Sequence, residues 1–345
     1  MPADFARHMV AWQRAQGRQH LPWQHTRDPY RVWLSEIMLQ QTQVSTVLDY
    51  YPRFLQHFPD VAALAAAPLD DVLALWSGLG YYSRARNLHR CAQEVVVRFG
   101  GAFPQTAAEL VSLPGIGRST AAAIAAFCFH ERAAILDGNV KRVLTRVLAC
   151  GDDLAVAANE RALWQRAEQL LPEQPSDMPA YTQALMDLGA TLCLPRKAQC
   201  EGCPVQDLCA ARRAGEPLAY PVKTRKLKRS SATLWLLWLV NERGQVWLQQ
   251  RPHRGIWAGL FSLPVFDAPD ALMAVWPHAQ GAEPEYLPAW KHVLTHRDLH
   301  LHPVRIRAVG SQAPVQCAGQ WVDAADWPGR GLPAPIRSLL EGQRG

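Results

Sequence analysis

Four of the chain's eight cysteines fall within seventeen residues, in the stretch CLPRKAQCEGCPVQDLC. They are Cys193, Cys200, Cys203 and Cys209, with the spacing C-x6-C-x2-C-x5-C. Four thiolates complete the ligand shell of one zinc ion or one cubane iron–sulfur cluster. Structural zinc sites usually pair their ligands as two C-x2-C units, and the stretch has one such pair. The wide outer gaps favour an iron–sulfur cluster over zinc, with four unrelated buried thiols as the remaining alternative.

The overall composition is that of a globular protein in a reducing compartment. The length of 345 residues suggests two domains, and a charged fraction of 19% argues against a disordered chain. The longest apolar run, 232–240, is too short for a membrane span, and the region around Asp4 lacks the apolar core of a signal peptide. We expect a cytoplasmic protein, nucleoid-associated if bacterial, whose thiols stay free or bind metal. The net charge of +6 permits a polyanionic partner.

The sequence changes character after Tyr220. Over residues 1 to about 210, apolar residues recur at spacings of three and four, which predicts helices. The stretch PVKTRKLKRSS then brings five basic residues without an apolar face, and we interpret residues 221–231 as a basic linker. We therefore expect a helical domain over residues 1–220 and a separate domain over residues 232–345.

The second domain is predicted to contain β-strands. The stretch TLWLLWLVNERGQVWLQQR has two runs rich in Trp, Leu and Val on either side of NERG, which is typical of a β-hairpin whose turn ends in glycine. Eight of the chain's thirteen tryptophans lie between Trp235 and Trp327. We therefore expect a β-containing domain with a large aromatic core.

A glycine-rich turn in the helical half has the character of an anion site. In SLPGIGRSTAAAIAAF, we expect one helix to end before Leu113 and another to begin near Arg118. Gly115 and Gly117 allow a tight turn, and Ile116 can fill the gap between the helices. Such a turn directs backbone N–H groups and a helix start at one point, where a phosphate can bind. The alternative is an ordinary helix–helix turn.

Two carboxylates stand in unusual surroundings. Glu36 lies in YRVWLSEIMLQQTQV, which is otherwise nearly free of acids. An apolar setting raises the pKa of a carboxyl group, so that it can deliver a proton near neutral pH. Asp137 follows the apolar AAIL and precedes GNVKRVL, where an aspartate also suits a helix N-cap and stays ionised easily. The alternatives are a surface glutamate and a plain capping residue.

These stretches together resemble the MutY-type adenine DNA glycosylases of the endonuclease III superfamily. WLSEIMLQQTQV, LPGIGRSTA, LDGNVKRVLTR and the cysteine spacing carry the resemblance, in the order that the family has them. The resemblance implies a mainly α N-terminal helix-hairpin-helix glycosylase fold with an iron–sulfur cluster loop. It also implies an α+β Nudix-like C-terminal domain, which QQRPHRGIWAGLFSLPVF resembles.

The resemblance further implies roles for individual residues. Glu36 protonates adenine and later activates water, Asp137 faces the sugar and stabilises the cation or a transient adduct, and Asn139 supports Asp137. The cysteines at positions 193, 200, 203 and 209 hold a [4Fe–4S] cluster, and residues 195–197 resemble the basic loop that faces the DNA backbone. Trp23 and Leu39 line the adenine pocket. The implied DNA contacts are Gln40, Gln41, Tyr81, Leu113, Gly115, Ile116, Gly117 and Ser119, with Gln41 and Tyr81 as wedges in the duplex.

The position of Ser119 bears on the type of glycosylase. Bifunctional relatives carry a lysine there, and no lysine occurs between Met1 and Val140. A nucleophilic amine is therefore missing from that region, which favours hydrolysis without a lyase step. A bifunctional endonuclease III-like enzyme that acts on pyrimidine lesions is the alternative. A nucleotide-sanitising hydrolase and a non-catalytic DNA-binding module are more distant ones.

The second domain is expected to recognise the lesion. The Glu-rich RExxEE string of working Nudix hydrolases does not follow residue 266, where DAPDALMAVW is found instead. In the family, this domain inspects 8-oxoguanine through a Phe-Ser-His loop. The matching residues are Leu294, Thr295 and His296, which keep a hydroxyl and the histidine. The expected partner is duplex DNA with adenine opposite 8-oxoguanine or guanine, bound by a monomer.

Overall fold

The computed structural model describes residues 2–222, 224, 229–276, 283–308, 313–314 and 316–342. Its contacts divide the chain into two compact units. One unit comprises Met1–Ala65 and Arg90–Lys226, and the other comprises Ala66–His89 and Leu227–Gly345. Residues 223 and 225–228 of the predicted linker lie outside the described residues, and the first strand already begins at Ser230. The domain boundaries at 220 and 232 stay a prediction, and by packing the segment Ala66–His89 groups with the C-terminal half.

The residues up to 222 form helices, as the spacing of apolar residues predicts. The α-helices are α1 (Pro2–Gln16), α2 (Pro29–Leu39), α3 (Val44–His57), α4 (Val61–Ala66), α5 (Leu69–Leu75), α6 (Ser83–Phe99), α7 (Ala107–Leu110), α8 (Arg118–Phe129), α9 (Gly138–Val147), α10 (Ala157–Gln169), α11 (Met178–Thr191) and α12 (Ala210–Arg213). Local sequence sets several of the starts. At α2, the Asp28 side chain accepts a hydrogen bond from the N–H of Tyr30, and Pro29 occupies the first helical position.

The core of the first unit lies where α1, α8, α9, α10 and α11 meet. Helix α11 contacts α1, α8 and α9, so it is the central helix of this packing. The alanines of α8 from Ala121 to Ala126 are buried, and their small side chains let neighbouring backbones approach closely. This packing fixes the start of α9, which carries Asp137, beside α11.

The C-terminal half forms a mixed sheet. Its strands are β1 (Ser230–Asn241), β2 (Val246–Gln250), β3 (Phe261–Ser262), β4 (Val265–Phe266), β5 (Glu285–Tyr286), β6 (Trp290–Val293), β7 (Arg297–Ala308) and β8 (Gln320–Val322). The main strand order is β3-β2-β1-β7-β5, with β4 on β1, β6 on β7 and β8 on β2. The long strands β1 and β7 run parallel, from Ser230 opposite Arg297 to Asn241 opposite Ala308. The other pairs are antiparallel.

The predicted hairpin and aromatic core are both confirmed. β1 and β2 pair antiparallel through the NERG turn, in which Gly244 has a φ of 75°. Trp247 and Trp276 are buried with Leu237, Leu239 and other apolar residues of β1 and β7. Helices α13 (Pro269–Val275) and α14 (Ala334–Leu340) complete the α+β fold. Among the described residues, no helix is both long and apolar enough to cross a membrane.

Candidate active site

One large cavity in the first unit brings the three predicted catalytic residues together. Glu36 reaches it from α2, and Asp137 reaches it from the start of α9. Eight of the residues singled out from the sequence line this cavity, namely Trp23, Glu36, Leu39, Gln40, Gln41, Ser119, Asp137 and Asn139. Residues more than a hundred positions apart in the sequence thus share one site.

The carboxyl group of Glu36 is strongly perturbed. Burial, and to a lesser extent the nearby negative charge of Asp137, raises its pKa to about 8. Both causes disfavour the carboxylate, so Glu36 is mainly protonated at neutral pH. This agrees with the expectation from its apolar sequence surroundings. Glu36 can therefore donate a proton into the cavity.

Asp137 is both a helix cap and a cavity residue. Its side chain accepts a hydrogen bond of 2.7 Å from the N–H of Val140. Burial raises its pKa, while backbone hydrogen bonds from Val140 and Asn139 and the charges of Arg142 and Lys141 oppose the rise. The sequence predicts an easily ionised carboxyl group at this helix cap. The structure differs because desolvation is the largest contribution.

Asn139 supports Asp137 through its backbone, while its side chain serves another contact. The Asn139 Oδ1 accepts a hydrogen bond of 2.8 Å from Nη2 of Arg142. Arg142 also donates to the carbonyl oxygen of Gly189 at 2.6 Å and to that of Cys193 at 2.8 Å. A Cβ at Gly189 would lie 2.7 Å from the Cβ of Asn139, so α9 and α11 approach too closely there for any side chain.

The cavity wall also contains a polar group that the sequence analysis missed. Arg18 and Gln183 line the cavity, and both donate to the buried carboxylate of Asp187. The distances are 2.7 Å from Nε of Arg18 and 2.8 Å from Nε2 of Gln183. The hydrogen bond to Asp187 orients the Gln183 amide group, whose carbonyl oxygen and second N–H remain for other partners. The signal was available, since Asp187 is an isolated acid within the apolar helix YTQALMDLGAT.

The polar end of α2 has an unusual backbone. Helix α2 ends at Leu39, and the exposed Gln41 follows with a φ of 56°. Left-handed conformations in residues other than glycine are uncommon, and they persist at functional sites where the surroundings hold them. The neighbouring Gln40 donates a hydrogen bond of 3.4 Å to Oγ1 of Thr120 on α8. Gln41 therefore projects from a fixed turn.

The glycine-rich turn has the geometry of the expected hairpin. Helix α7 ends at Leu110 and α8 begins at Arg118, with Leu113 and Ile116 buried between them. Gly115 has a φ of 78°, which requires glycine, whereas Gly117 has an ordinary φ of −84°. A Cβ at Gly117 would meet no atom within 4 Å, and no described side chain caps α8 there. The turn thus leaves space in front of the α8 N-terminus.

Ser119 connects the hairpin with the catalytic segment. Its Oγ accepts a hydrogen bond of 3.0 Å from the N–H of Leu136, immediately before Asp137. The first lysine of the sequence, Lys141, lies one turn after Asp137 on α9. Its ammonium group forms an ion pair of 2.6 Å with Glu160.

The four clustered cysteines line a second cavity of the first unit, which fits the predicted cofactor site. The described residues contain no group of three or more His, Cys, Asp or Glu side chains placed to hold a single metal ion. Four thiols around one space are the ligand set of a single zinc ion or of an iron–sulfur cluster.

A buried arginine borders the cysteine cavity. Arg146 is 2% exposed and donates to Sγ of Cys193 at 3.2 Å and to the carbonyl oxygen of Leu194 at 2.8 Å. The backbone folds back here, because Cys193 and Ala198 form an antiparallel bridge. The tip of this loop exposes Arg196 and Lys197 to solvent. Residues 195–197 thus form a short surface loop that the bridge between Cys193 and Ala198 holds at its base.

The remaining predicted residues lie in the second unit. Tyr81 is 39% exposed and has a φ of 49°. Thr295 and His296 are exposed in the turn between β6 and β7. The hydroxyl groups of Tyr81 and Thr295 are hydrogen-bonded to each other. Tyr81, which is predicted to enter the duplex, and Thr295, which is predicted to contact the lesion, are therefore in contact within this unit.

Comparisons with known proteins show which protein family each half of the chain matches. Residues 34–169 match the family described as "HhH-GPD superfamily base excision DNA repair protein", and residues 235–342 match the family described as "NUDIX domain". The adenine DNA glycosylase of Buchnera aphidicola subsp. Baizongia pistaciae (strain Bp) is 37% identical over 305 residues, which cover 88% of this chain and 86% of that protein. The adenine DNA glycosylase of Buchnera aphidicola subsp. Acyrthosiphon pisum (strain APS) is 33% identical over 342 residues, which cover 98% of this chain and 97% of that protein.

A solved structure supports the fold of the helical half. A thermostable thymine-DNA glycosylase matches 62% of this chain and 97% of its own length, with a TM-score of 0.54 and 29% sequence identity. The predicted fold class, a helix-hairpin-helix glycosylase fold followed by a Nudix-like α+β domain, is therefore confirmed. With relatives above 30% identity matched along most of both sequences, the chain belongs to the MutY-type adenine DNA glycosylases of the helix-hairpin-helix superfamily.

Proposed function

We propose that this protein excises adenine from duplex DNA in base excision repair, at sites where adenine faces 8-oxoguanine or guanine. The observation that carries the proposal is the pair of carboxyl groups in one cavity, of which Glu36 has its pKa raised to about 8. Loss of a purine leaves an oxocarbenium-like sugar, and its formation requires an acid for the base and an anion for the cation. Glu36 and Asp137 fit these two tasks.

The residues of the cavity suggest a sequence of steps. Protonated Glu36 donates its proton to the extruded adenine, which weakens the bond from N9 to C1′. The Asp137 carboxylate, held by the amides of Val140 and Asn139, faces the developing positive charge of the sugar. The Glu36 carboxylate then accepts a proton from a water molecule as that water attacks C1′. This last transfer returns the proton to Glu36 and completes hydrolysis.

The adenine pocket is proposed to include Trp23, Leu39 and the newly identified Gln183. Trp23 is 7% exposed and packs edge-to-face on Tyr51, with ring centroids 5.4 Å apart, so its orientation is fixed. The hydrogen bond to Asp187 orients the Gln183 amide group, and we propose that its carbonyl oxygen is the hydrogen-bond acceptor for the base. An acceptor suits the exocyclic amine of adenine and repels the carbonyl group of guanine at the same position.

We propose that the enzyme is monofunctional. A serine occupies the position of the lyase lysine, and the ammonium group of Lys141 is paired with Glu160. Borohydride treatment during turnover is the test, because it reduces a Schiff base to a stable adduct. We expect the wild type to form no more covalent complex with DNA than the Lys141→Gln variant forms. A stable complex in normal yield would favour the bifunctional endonuclease III-like alternative.

The DNA is proposed to contact both halves of the chain. The turn formed by Leu113, Gly115, Ile116 and Gly117 would bind a backbone phosphate through its amides, with Ser119 bracing the turn. Gln41, with Gln40 behind it, would enter the duplex beside the flipped adenine. Tyr81, Thr295 and His296 would face the opposite base. The proposed partner is duplex DNA bound by a monomer, and base flipping is easiest at such mispairs.

We propose a [4Fe–4S] cluster as cofactor, with Cys193, Cys200, Cys203 and Cys209 as ligands. Such a cluster would anchor the loop that exposes Arg196 and Lys197 and would take no part in hydrolysis. Visible absorption and analysis of iron and sulfide in the purified protein test this. Cys203→Ser should lower the iron content, whereas Cys317→Ser should not. A colourless protein that contains zinc would contradict the proposal.

The function is tested by adenine release from short duplexes with adenine opposite 8-oxoguanine, guanine or thymine. We expect release from the first two and little from the third. Glu36→Gln should abolish release, and Glu94→Gln is the matched control, because Glu94 pairs with Arg98 on the surface of α6. Unchanged release by Glu36→Gln would exclude the proposed acid.

A further inference from the structure

The loop that carries Tyr81 is attached to the C-terminal half of the chain. We call residues 77–82 the tyrosine loop; it connects α5 with α6 and belongs to the same packing unit as the sheet. The carbonyl oxygen of Leu332 accepts two hydrogen bonds from it. The Oγ of Ser77 donates at 2.8 Å, and the hydroxyl group of Tyr82 donates at 3.0 Å. Both ends of the loop are therefore fastened to one C-terminal carbonyl group.

Arg337 of α14 reinforces this attachment. Its Nε donates to Oγ of Ser77 at 3.2 Å. Its Nη2 donates to the carbonyl oxygens of Pro328 and Arg330, at 3.0 and 3.1 Å. One guanidinium group thus joins α14, the segment before it and the tyrosine loop. Such planar, multiple hydrogen bonding by arginine fixes geometry as well as adding energy.

The segment that carries Leu332 is itself held in place. The carbonyl oxygen of Gly331 accepts a hydrogen bond of 2.9 Å from the N–H of Phe261 on β3. A Cβ at Gly331 would lie 2.8 Å from the Cβ of Leu73 on α5, so only glycine allows this approach. On α6, Arg86 donates at 2.7 Å to the carbonyl oxygen of Ala258. The loop therefore rests on a rigid part of the sheet domain.

The loop holds Tyr81 in a conformation that requires support. The φ of 49° at Tyr81 is unfavourable for a residue with a Cβ. The buried Arg84 donates to the carbonyl oxygens of Leu79 and Gly80, and its guanidinium carbon lies 5.6 Å from the centre of the Tyr81 ring. These contacts brace the loop from within, and Ser77, Tyr82 and Leu332 brace it from the C-terminal side.

We infer that Ser77 and Arg337 are positioning residues, through which the C-terminal segment 328–337 holds Tyr81 ready for insertion into the duplex. The inference rests on the proposed function, in which Tyr81 contacts DNA. Without these hydrogen bonds, the tyrosine loop can relax toward negative φ, and part of the binding energy is then spent on reordering it. The C-terminal domain thereby contributes to mispair recognition through a loop encoded in the N-terminal half.

The test compares Ser77→Ala, Ser77→Thr and Arg337→Ala with Arg243→Ala, which removes an exposed charge from the β1–β2 turn. Loss of one hydrogen bond corresponds to about 1 kcal/mol, or about a fivefold effect. Because each variant removes the hydrogen bond between Ser77 and Arg337 and at least one other, we expect Ser77→Ala and Arg337→Ala each to lower kcat/KM for the adenine–oxoguanine duplex by at least about fivefold. The rate at saturating enzyme and its pH profile should stay unchanged. Ser77→Thr, which keeps the hydroxyl group, should behave as the wild type.

A double variant separates positioning from a general loss of structure. In a Tyr81→Ala background, Ser77→Ala should have no further effect on kcat/KM, because the residue that it positions is gone. The inference would be overturned if Ser77→Ala had the kcat/KM of the wild type. It would also be overturned if Ser77→Ala lowered kcat/KM as much in the Tyr81→Ala background as it does in the wild type.

A measurement without DNA keeps this inference separate from the proposed function. Amide hydrogen exchange across residues 78–82 should be faster in Ser77→Ala than in Arg243→Ala. Equal exchange in the two variants would overturn the inference even if adenine release is observed. An absence of adenine release by the wild type, with faster exchange in Ser77→Ala, would instead refute the proposed function alone.

Discussion

At the scale of single residues, the surroundings decide what each side chain can do. Glu36 and Glu94 are the same amino acid on helices of one protein. Glu94 pairs with Arg98 near the surface, whereas Glu36 lies in a cavity wall, where burial and Asp137 raise its pKa to about 8. The setting of Glu36 keeps its carboxyl group mainly protonated at neutral pH.

The first prediction concerns the pH dependence of adenine release. Because Glu36 acts in its protonated form, the rate should be level just below pH 8 and fall about tenfold per pH unit above it. Single-turnover rates at saturating enzyme measure this. Because the pKa of Asp137 is raised, the rate should also fall on acidification, at a pH above the ordinary pKa of an aspartate. A rate that rises steadily through pH 8 would contradict the role of Glu36 as acid.

The carboxyl group of Glu36 also affects the stability of the folded protein. The folded-state pKa of Glu36 lies above its unfolded value, so stability falls as pH rises from the unfolded pKa to about 8. Glu36→Gln removes this loss, so the variant should have a higher Tm than the wild type at pH 8 although it is inactive. Glu94→Gln, with a partly exposed carboxyl group, should show no such gain.

The second prediction concerns the backbone of Gln41. Its φ of 56° disfavours any residue with a Cβ by about 1 kcal/mol. Gln41→Gly should therefore raise the free energy of unfolding, measured by urea denaturation, while adenine release falls. Gln43→Gly is the control, because Gln43 has an ordinary φ of −71°. A loss of both stability and activity in Gln41→Gly would show that the conformation is not strained.

At the scale of secondary-structure elements, the closeness of two helices and the openness of one turn shape the site. Helices α9 and α11 approach so closely at Gly189 that a Cβ would overlap Asn139. In contrast, the start of α8 at Gly117 faces open space. The close contact at Gly189 positions Asp137, and the open space at Gly117 leaves room for a ligand.

The third prediction concerns Gly189. Gly189→Ala should force α9 and α11 apart, lower the free energy of unfolding by about 1–3 kcal/mol and slow adenine release. Thermal and chemical unfolding measure the first effect. Gly151→Ala is the matched control, since a Cβ there meets no atom within 4 Å. Equal stability of the two variants would mean that the helices adjust at no cost.

The fourth prediction separates the two hairpin glycines. Gly115→Ala meets a φ of 78° and should lower stability by about 1 kcal/mol. Gly117→Ala has an allowed φ and free space, so stability should hardly change. Its methyl group would nevertheless block a phosphate that approaches the amides, and affinity for duplex DNA should fall. Undiminished affinity, measured by fluorescence anisotropy, would argue against a phosphate site at this turn.

At the scale of the whole molecule, charge governs the encounter with DNA. The net charge of +6 is modest, so specific phosphate contacts matter more than the overall field. Arg196 and Lys197 are exposed at the tip of the cysteine loop, and the start of α8 is open. These are the local features that we expect to displace counterions.

The fifth prediction concerns salt. Log affinity should fall linearly with log salt concentration, and Arg196→Ala should reduce the slope by about one while weakening all duplexes alike. Arg243→Ala, at the β1–β2 turn, is the control with the same change in charge. Titrations at several salt concentrations, with matched and mispaired duplexes, provide the measurement. An unchanged slope for Arg196→Ala would remove this loop from the DNA interface.

Much of the fold could be predicted from local sequence. The glycine at position 115 anticipates a turn that only glycine adopts, and NERG anticipates the hairpin of β1 and β2. The apolar run around Glu36 correctly predicted a raised pKa. The capping role of Asp137 was also visible, but its raised pKa was not, because desolvation depends on distant residues that pack around it.

By itself, the sequence determined the features that depend on neighbouring residues, such as turns, helix starts and the spacing of the thiols at 193, 200, 203 and 209. Only the tertiary structure decided which distant groups share a site. It placed Gln183 on the cavity wall with Glu36, and it joined Leu332 to the tyrosine loop. The reason is physical: backbone preferences act over a few residues, whereas burial, desolvation and hydrogen bonding act between groups that folding brings into contact.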